Sequence, residues 1–313
     1  MRILFTGTSS FTGAWFIREL VARGHEVVAV TRGRREGYSS LRQARIDRLT
    51  TGARIEWACA TGTTEFEEVV DRHSPFDALG LHGAEVGDYR RADFDYMAAT
   101  TSNTSGLTGA LTSLARRGCP VAVLTGTVFE AYEGAGEAPL RAFSGYGLSK
   151  TLTAVIVEHA CHLAGMRFAK FVIPNPFGPM EEPRFIRYLA NAWLTGQTPE
   201  VRTPDYVRDN IHVSLLAASY ASFLEAVHAR RTSRVGPAGY IETQGAFARR
   251  VAEALSPRLG VPCPVRLARQ TQFDEPRMRV NTEPATALVP DWDEDAAWQS
   301  LADFYLAMHR GAS

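Results

Sequence analysis

Lysine is rare in this chain, and one of its two lysines follows a tyrosine by four positions. Only Lys150 and Lys170 occur among 313 residues, and Lys150 ends the run Ser144-Gly-Tyr-Gly-Leu-Ser-Lys. Residues four apart share one face of a helix, so the ammonium of Lys150 would lie beside the phenol of Tyr146. An ammonium there lowers the pKa of a phenol, which is about 10 when unperturbed. The spacing predicts a tyrosine that transfers protons near neutral pH, and the alternative is a solvent-facing helix turn.

A glycine turn lies at the other end of this half of the chain. Thr6-Gly-Thr-Ser-Ser-Phe-Thr-Gly13 links a short apolar run to the periodic segment that begins at Ala14. A helix that begins there offers backbone N–H groups and its dipole to a pyrophosphate. Ser10 replaces the middle glycine of the usual pattern. The predicted dinucleotide contacts are Gly7, Ser9, Ser10, Phe11, Thr12 and Gly13, and the alternative is a turn without a ligand.

The residues after the second apolar run indicate which dinucleotide binds. A site for NAD usually places an acid there, for the ribose 2′-hydroxyl. This chain has Thr31-Arg-Gly-Arg-Arg35 instead. Guanidinium groups suit a 2′-phosphate by charge and by geometry. Arg32, Arg34 and Arg35 therefore favour NADP(H), with NAD(H) as the alternative cofactor and a solvated basic loop as the alternative reading of the cluster.

The elements that would position these residues alternate between apolar runs and amphipathic segments. This rhythm predicts an α/β protein with a doubly wound parallel sheet, a Rossmann fold. The predicted strands are 2–6, 26–31, 54–58, 78–81, 121–124 and 168–173. The predicted helices of this half are 12–23, 64–72, 94–117 and 146–164, and residues 33–40 are a predicted loop.

Prolines become frequent after Ile173, at 174, 176, 179 and 183. We therefore expect a dinucleotide-binding domain over 1–173 and a smaller mixed lobe over 174–313, mainly for substrate, with some segments returning to the first domain. Helices are predicted at about 183–194 and 212–229, and the later segments 246–255, 265–268 and 293–309 continue a mixed pattern without a repeat.

Composition limits the partners. The formal net charge is zero, which predicts no general attraction to nucleic acid or to an anionic membrane. The four cysteines are widely spaced and show no metal-binding pattern, so no metal site is predicted, and they read as thiols of a reducing compartment. The first apolar run is too short for a signal peptide, and no apolar stretch approaches 18 residues. A cytoplasmic protein is expected.

Taken in order, these motifs resemble the extended short-chain dehydrogenase/reductase family, whose members are nucleotide-sugar epimerases, dehydratases and reductases. The resemblance covers most of the chain. It rests on Thr6 to Gly13, Leu81-His-Gly-Ala84, Asn103, Tyr146 with Lys150, Asn175-Pro-Phe-Gly-Pro179 and Arg208-Asp-Asn-Ile-His-Val213.

The resemblance implies catalytic roles for three residues. Tyr146 would be the acid/base, and Lys150 would bind the nicotinamide ribose and lower the pKa of Tyr146. A hydroxyl residue would complete the triad, three positions before a Val-Phe or Val-Tyr pair. That rule selects Thr125 in Val123-Leu-Thr-Gly-Thr-Val-Phe129, with Thr127 as the second choice on the same strand-end loop.

The resemblance also implies binding residues. Further cofactor contacts would be Cys59, Ala60, His82, Gly83, Ala84, Lys150 and Pro174. The nucleotide-sugar substrate would be held by Thr127, Asn175, Arg208 and Arg277, with Arg279 as an alternative to Arg277. An ion pair with Asp205 or Asp209 is the other reading of Arg208. A homodimer through the helices near 94–117 and 146–164 is expected, and Leu148, Leu152, Val155 and Ile156 are compatible with it or with core packing.

Several residues depart from the family pattern. Cys59-Ala60 replaces an Asp-Leu pair that would contact adenine, and Glu85 stands where a small residue is usual. Gly126 and Thr127 replace the Asp-Glu pair of the dehydratases, so no carboxylate is placed for elimination of water, and a 4,6-dehydratase is disfavoured. The arginines favour 4-ketoreduction with NADPH. The alternative reaction is 4-epimerisation, and a catalytically inactive NADP(H) sensor is the hypothesis from another class.

Overall fold

The computed structural model describes residues 1–89 and 91–312, and these residues form an α/β architecture. The strands are β1 (Arg2–Phe5), β2 (Glu26–Val30), β3 (Arg54–Glu56), β4 (Ala78–Leu81), β5 (Val121–Thr127), β6 (Ala135–Gly136), β7 (Arg167–Ile173), β8 (Asn175–Phe177), β9 (Glu200–Val201), β10 (Val207–His212), β11 (Arg234–Val235), β12 (Pro237–Ala238), β13 (Tyr240–Thr243), β14 (Arg266–Leu267), β15 (Met278–Val280) and β16 (Glu283–Pro284). The helices are α1 (Phe11–Ala22), α2 (Ser40–Asp47), α3 (Thr64–His73), α4 (Tyr96–Thr104), α5 (Leu107–Arg116), α6 (Gly145–Ala164), α7 (Phe185–Leu194), α8 (Val213–His228), α9 (Gln244–Leu259), α10 (Ala285–Leu288) and α11 (Glu294–Ala312).

The larger sheet has seven parallel strands in the order β11-β7-β5-β4-β1-β2-β3. The chain moves from β1 towards β3 and then returns to the other side of β1 at β4. The carboxyl ends of β1 and β4 therefore form the switch point at which doubly wound sheets bind ligands. This Rossmann-like arrangement confirms the predicted fold class.

The apolar runs explain why this sheet forms. Leu4, Val28 and Leu79 are fully buried, as expected for central parallel strands covered on both faces. They pack in one cluster with buried side chains of the covering helices, such as Leu111 and Val157. Each such side chain contributes about 1.5–3 kcal/mol to folding when it leaves water.

Two local predictions of the first half were wrong, and one helix was missed. The predicted helix 94–117 is two helices, because Gly106 between them has a positive φ of 67°. A Cβ at Gly106 would also lie 2.5 Å from the Cα of Gly62, so the chain needs glycine there. Helix α2 was not predicted, and β5 continues past Leu124 to Thr127, which places both candidate threonines on the strand itself.

Contacts divide the chain into two units. The first consists of Met1–Glu133, Leu140–Ile173 and Ala217–Gly236, and it contains the seven-stranded sheet. The second consists of Gly134–Pro139, Pro174–Leu216 and the chain from Pro237 onward.

The second unit has its own mixed sheet and its own core. The strand order is β13-β10-β15-β6, and β8 also pairs with β10. Trp193 of α7, Phe247 of α9 and Leu301 of α11 belong to the buried cluster of this unit. Among the helices of the described residues, none combines the length and the apolar character needed to cross a bilayer.

Candidate active site

The turn between β1 and α1 has the shape of a phosphate cradle. Gly7 has a φ of 78°, and a Cβ there would lie 2.7 Å from the backbone nitrogen of Gly83. A Cβ at Gly13 would lie 2.4 Å from the Gly7 carbonyl oxygen. Neither position tolerates a side chain, so the backbone stays bare where α1 begins. A bare helix N-terminus of this kind fits a dinucleotide pyrophosphate.

Ser10 replaces a glycine without filling this cradle. It is the N-cap of α1, and its hydroxyl oxygen accepts a hydrogen bond from the Gly13 N–H at 3.0 Å. The hydroxyl donates to the Gly7 carbonyl at 2.9 Å. The side chain therefore bonds within the turn and stabilises the start of the helix.

His82 connects this turn to the neighbouring strands. Its backbone N–H and that of Gly83 both donate to the Thr6 hydroxyl at 3.0 Å, which fixes the residues after β4 against the end of β1. The imidazole lies 3.0 Å from the Ser10 hydroxyl at Nε2 and 2.9 Å from the Thr125 hydroxyl at Nδ1. Burial and the nearby Lys150 ammonium lower the pKa of His82 to about 3, so the ring is neutral.

Thr125 and Lys150 meet at the carboxyl end of β5. The Lys150 ammonium donates to the Thr125 backbone carbonyl at 2.8 Å, and both residues are buried. The solvent-facing alternative for Lys150 was therefore wrong. Burial lowers the pKa of Lys150, and the negative charge of Glu130 opposes that shift.

Tyr146 lies one helical turn before Lys150 on α6. Helix α6 begins after Ser144, whose hydroxyl accepts a hydrogen bond from the Gly147 N–H. A Cβ at Gly147 would lie 2.1 Å from the Phe129 carbonyl oxygen, so glycine permits the close approach of this first turn to the segment after β5. The half-buried ring of Tyr146 contacts those of Tyr89 and Phe94, with centroids 5.9 and 6.1 Å away.

The second lysine, Lys170 of β7, belongs to an ion-pair network next to β5. The Lys170 ammonium lies 2.5 Å from Glu130 and 2.8 Å from Glu133, and Arg234 also pairs with Glu133. Burial lowers the pKa of Lys170, but the pairing with Glu130 and Glu133 raises it overall. Glu130 also accepts a hydrogen bond from the Thr127 N–H at 2.8 Å. Sequence reasoning missed this network, although the rarity of lysine was a signal that applied to both lysines.

The predicted 2′-phosphate arginines lie on the surface after β2. Arg32 is 3.5 Å from Glu85, and Arg35 is 2.9 Å from Asp47, with both guanidinium groups largely exposed. Arg34 is the exposed residue before a short 3-10 turn, Arg35–Gly37. Glu85, whose place in the cofactor pocket was an open question, is thus an ion-pair partner of Arg32.

Arg45 of α2 is a further residue at the candidate dinucleotide site, and it was not among the residues predicted from the sequence. Its side chain is almost completely buried, and its guanidinium donates to the Ser9 carbonyl at 3.3 Å. It also lies over the ring of Phe11, 5.8 Å from the centroid. A buried cation thus hydrogen-bonds to the backbone of the glycine turn. It lies in α2, the helix that the sequence did not predict.

The remaining cofactor candidates lie where the first-unit strands end, apart from Pro174. Cys59 is buried, its thiol donates to the Trp57 carbonyl, and burial raises its pKa. Ala60 follows it and Ala84 follows Gly83, both half-buried. Pro174 is buried at the start of the second unit. Asn103 accepts a hydrogen bond from the Glu85 N–H and donates to the Thr153 hydroxyl, so it joins α4 to α6.

In the second unit, Arg208 and Arg277 flank an aromatic pair. The guanidinium of Arg208 lies 4.4 Å from the ring centroid of Tyr206, and that of Arg277 lies 4.1 Å from Phe273. The two rings meet edge to face at 5.4 Å. Arg208 also pairs with Glu275 at 2.9 Å, a partner that the sequence alternatives did not include. The binding of a substrate anion by Arg208 and Arg277 stays a prediction, and in this structure Glu275 occupies one side of the Arg208 guanidinium.

The other substrate candidates lie on strands, with Asn175 and Arg279 in the sheet of the second unit and Thr127 in the sheet of the first. Asn175 of β8 pairs in register with Asn210 of β10. Arg279 of β15 is buried opposite Arg208, and burial lowers its pKa. Thr127, in the first unit, is buried and its hydroxyl accepts a long hydrogen bond from the Phe129 N–H, so it stabilises the turn after β5.

Comparison with known proteins agrees with this architecture. The model of the NAD dependent epimerase/dehydratase family matches residues 3–255, and the chain belongs to that family. A UDP-glucose-4-epimerase from Stenotrophomonas maltophila, solved with NAD and formylated UDP-arabinopyranose, is 20% identical, with 99% of each chain covered and a TM-score of 0.74. A UDP-glucose 4-epimerase from Thermotoga maritima, solved with UDP-glucose, is 15% identical, with 99% and 100% covered and a TM-score of 0.74. A UDP-glucuronic acid 4-epimerase from Bacillus cereus is 16% identical, with 98% and 100% covered and a TM-score of 0.71. At these identities the likeness shows the shared fold.

Proposed function

We propose that this protein is a nicotinamide-dinucleotide-dependent enzyme that transfers hydride at C4 of a nucleotide sugar and thereby epimerises that carbon. The observation that carries the proposal is the junction of β5 and α6. There the buried Lys150 ammonium bonds the Thr125 carbonyl one helical turn from Tyr146. The phosphate cradle of Gly7 and Gly13 lies in the same unit.

Tyr146, Lys150 and Thr125 would have separate roles in this reaction. The nicotinamide ring, when bound, supplies the acceptor and donor of the hydride. Tyr146 takes the proton of the sugar hydroxyl as the carbonyl forms and returns it as the carbonyl is reduced. The positive charge of Lys150, one helical turn after Tyr146, favours the phenolate form of Tyr146. Thr125 places its hydroxyl beside the reacting oxygen.

The surroundings of Gly126 argue against elimination of water. A Cβ at Gly126 would lie 2.6 Å from Cε of Lys170 and 2.8 Å from Oε1 of Glu130. A carboxylate at this position, as the dehydratases carry, would have to displace the ion pair of Lys170 with Glu130. Glu130 itself is engaged with Lys170 and with the Thr127 backbone, so it is not available as an acid or base.

Epimerisation is supported by the relatives described above, which are 4-epimerases of UDP-sugars. A C4 epimerase removes hydride from one face of the sugar and returns it to the other, so its cofactor is regenerated in each turnover. The same dinucleotide can then stay bound. The substrate would be a nucleotide diphosphate sugar, with its diphosphate bound by Arg208 and Arg277.

A second candidate, 4-ketoreduction with NADPH, is favoured by one observation. Arg32, Arg34 and Arg35 follow β2, where three guanidinium groups can bind a 2′-phosphate. A reductase consumes one NADPH per turnover and must release the oxidised cofactor.

The dinucleotide retained on purification distinguishes the two reactions. Tightly held NAD with interconversion of C4 epimers, in a panel of UDP-, dTDP- and CDP-sugars, is the expected result. Stoichiometric loss of NADPH absorbance with a 4-keto sugar would establish the reductase instead. Binding of a dinucleotide without either reaction would leave a sensor and contradict the proposal.

We also propose a homodimer through α4 and α6. Three large apolar side chains on these helices are each at least 60% exposed: Met97 of α4, and Val155 and Leu163 of α6. Their contact with water would be removed if these helices packed against a second copy of the chain. Sedimentation should show a dimer for the wild-type chain and a monomer for Val155→Glu. A wild-type monomer would exclude this assembly.

A further inference from the structure

The imidazole of His82 is held in one orientation by two aromatic rings. Phe5 stacks on it with centroids 5.6 Å apart, and Phe16 meets it edge-on at 5.1 Å. The ring is buried and neutral, so one nitrogen carries a hydrogen and the other is a bare acceptor. Both nitrogens contact hydroxyl groups, and the position of the single ring proton therefore decides the direction of each hydrogen bond.

The hydroxyl groups near Nε2 indicate where that proton lies. Ser10 has one hydroxyl proton, which it donates to the Gly7 carbonyl, an atom that can only accept. The Ser10 oxygen, 3.0 Å from Nε2, must then accept from His82. The Thr12 hydroxyl is also 3.0 Å from Nε2 and can accept from the same N–H. A proton on Nε2 satisfies both contacts, whereas a bare Nε2 would face a lone pair of Ser10.

We propose that His82 is a positioning residue in the Nε2–H tautomer, which links the phosphate turn to Thr125 and takes the hydroxyl proton of Thr125 on its bare Nδ1. Thr125 then presents only oxygen lone pairs to the sugar. This inference rests on the proposed function for the identity of the reacting group.

The direction of this hydrogen bond affects the hydroxyl and keto forms of the sugar differently. The single proton of the sugar hydroxyl goes to Tyr146, and Thr125, whose own proton lies on the hydrogen bond to His82, has no proton to donate to the carbonyl oxygen that forms. The ketone is therefore bound at that oxygen by Tyr146 without help from Thr125. Weaker retention suits a 4-keto sugar that must turn over before hydride returns to its other face.

The tautomer can be measured without any substrate. Long-range ¹H–¹⁵N correlation on the ¹⁵N-histidine-labelled holoprotein should show the His82 ring protonated at Nε2 alone, with no titration between pH 5 and 9. A ring protonated at Nδ1, or one that becomes charged in this range, would overturn the inference. Because this readout does not depend on turnover, it stands even if no nucleotide sugar reacts and the proposed function fails.

Two substitutions separate the two ends of the ring. The amide of Gln reaches the place of Nε2, so His82→Gln keeps a donor for Ser10 and Thr12 but loses the acceptor for Thr125. The oxygen of Asn can replace Nδ1, so His82→Asn does the opposite. Loss of one such hydrogen bond corresponds to about a 3- to 10-fold change. We expect His82→Gln to lower kcat by about that factor with dinucleotide affinity retained, and His82→Asn to weaken dinucleotide binding with the smaller loss in kcat.

A Thr125→Val background provides the matched control. If His82 acts on the reaction through Thr125, His82→Gln should cause no further loss of kcat in Thr125→Val. Equal and additive losses in kcat, or the same loss of dinucleotide affinity for Gln and Asn, would overturn the positioning role. If neither variant folds, the tautomer measured in the wild-type holoprotein decides the question.

Discussion

The charged groups of the two units are held in different ways. Around β5, the buried Lys150 bonds the Thr125 carbonyl, and the half-buried Lys170 pairs with Glu130 and Glu133, whose side chains are buried. In the second unit, Arg208 pairs with Glu275, whose side chain is 53% exposed. The first arrangement is enclosed by the packing of the sheet, and we expect the second to be exchanged for a competing anion.

This difference indicates which part of the chemistry is preformed. A buried ammonium that loses its partner is strongly unfavourable, so the groups near Tyr146 remain in place whether or not substrate is bound. A half-exposed carboxylate contributes little to an ion pair and returns easily to water. We therefore expect substitutions around β5 to affect stability and rate, and those around Arg208 to affect substrate affinity.

The largest effect should follow from removal of the second lysine. Lys170→Met takes the ammonium away from the buried carboxylates of Glu130 and Glu133, which should lower the free energy of unfolding by about 3–5 kcal/mol. Urea denaturation measures this change. Arg266→Met is the control, because it breaks an exposed pair with Glu200 in the second unit and should cost less than about 1 kcal/mol. Equal losses would show that the two units do not differ.

Tyr146→Phe tests the rate at the preformed site. Removal of the phenolic hydroxyl abolishes proton transfer and should lower kcat on the order of 100-fold or more, with dinucleotide affinity unchanged. Tyr132→Phe is the control, because Tyr132 is 86% exposed and should keep the wild-type rate. A wild-type rate in Tyr146→Phe would exclude Tyr146 as the acid/base.

The fold class followed from the sequence because it depends on strong, repeated signals. Each of the six predicted strands is present, since apolar runs of buried parallel strands are hard to mistake. Strand β11 was missed because it has only two residues, and α2 because its segment contains few apolar residues. With α2 unpredicted, Arg45 could not be placed near the glycine turn.

The candidate site shows the same limit. Motifs along the chain selected Tyr146, Lys150 and Thr125, but the roles of these residues remain predictions. The pairing of Lys170 with Glu130 and of His82 with Thr125 depends on contacts between distant elements, which no local pattern encodes. The partner of Arg208 was missed for the same reason, because Glu275 is 67 positions away.

The buried histidine of each unit should make folding sensitive to acid. Burial lowers the pKa of His212 to about 3. Burial and the nearby Lys150 ammonium lower the pKa of His82 to about 3 as well. Below about pH 6.5 the unfolded chain binds protons that the folded chain does not, so stability is lost as the pH falls, by up to about 1.4 kcal/mol per pH unit for each histidine. His212→Asn keeps an acceptor for the Ser214 N–H and removes the titration. Between pH 7.5 and 5.0 the variant should lose about 2 kcal/mol less than wild type in urea denaturation. An identical pH slope would show that the pKa of His212 is the same in the folded and unfolded chains.

The arginines after β2 test the cofactor preference within the first unit. Arg32 and Arg34 are exposed, so their replacement should leave the fold intact. If they bind a 2′-phosphate, the double variant Arg32→Ala, Arg34→Ala should lose about 10-fold in affinity for NADPH and little for NADH. Arg48→Ala removes an exposed arginine of the same region and is the control. Equal losses for both dinucleotides would show that these arginines do not select the cofactor.

The smallest effect should come from the exchangeable pair of the second unit, and its sign is the informative part. Glu275→Gln removes the carboxylate that pairs with Arg208 but keeps a side chain of similar size. If a substrate diphosphate must displace Glu275, the variant should bind UDP about 2- to 5-fold more tightly, because an ion pair with an exposed carboxylate contributes up to about 1 kcal/mol. Glu283→Gln, at another exposed acid of this unit, should leave UDP affinity unchanged. Isothermal titration calorimetry measures both. Weaker binding in Glu275→Gln would mean that the carboxylate orients Arg208 for the ligand, and the two units would then both be preformed.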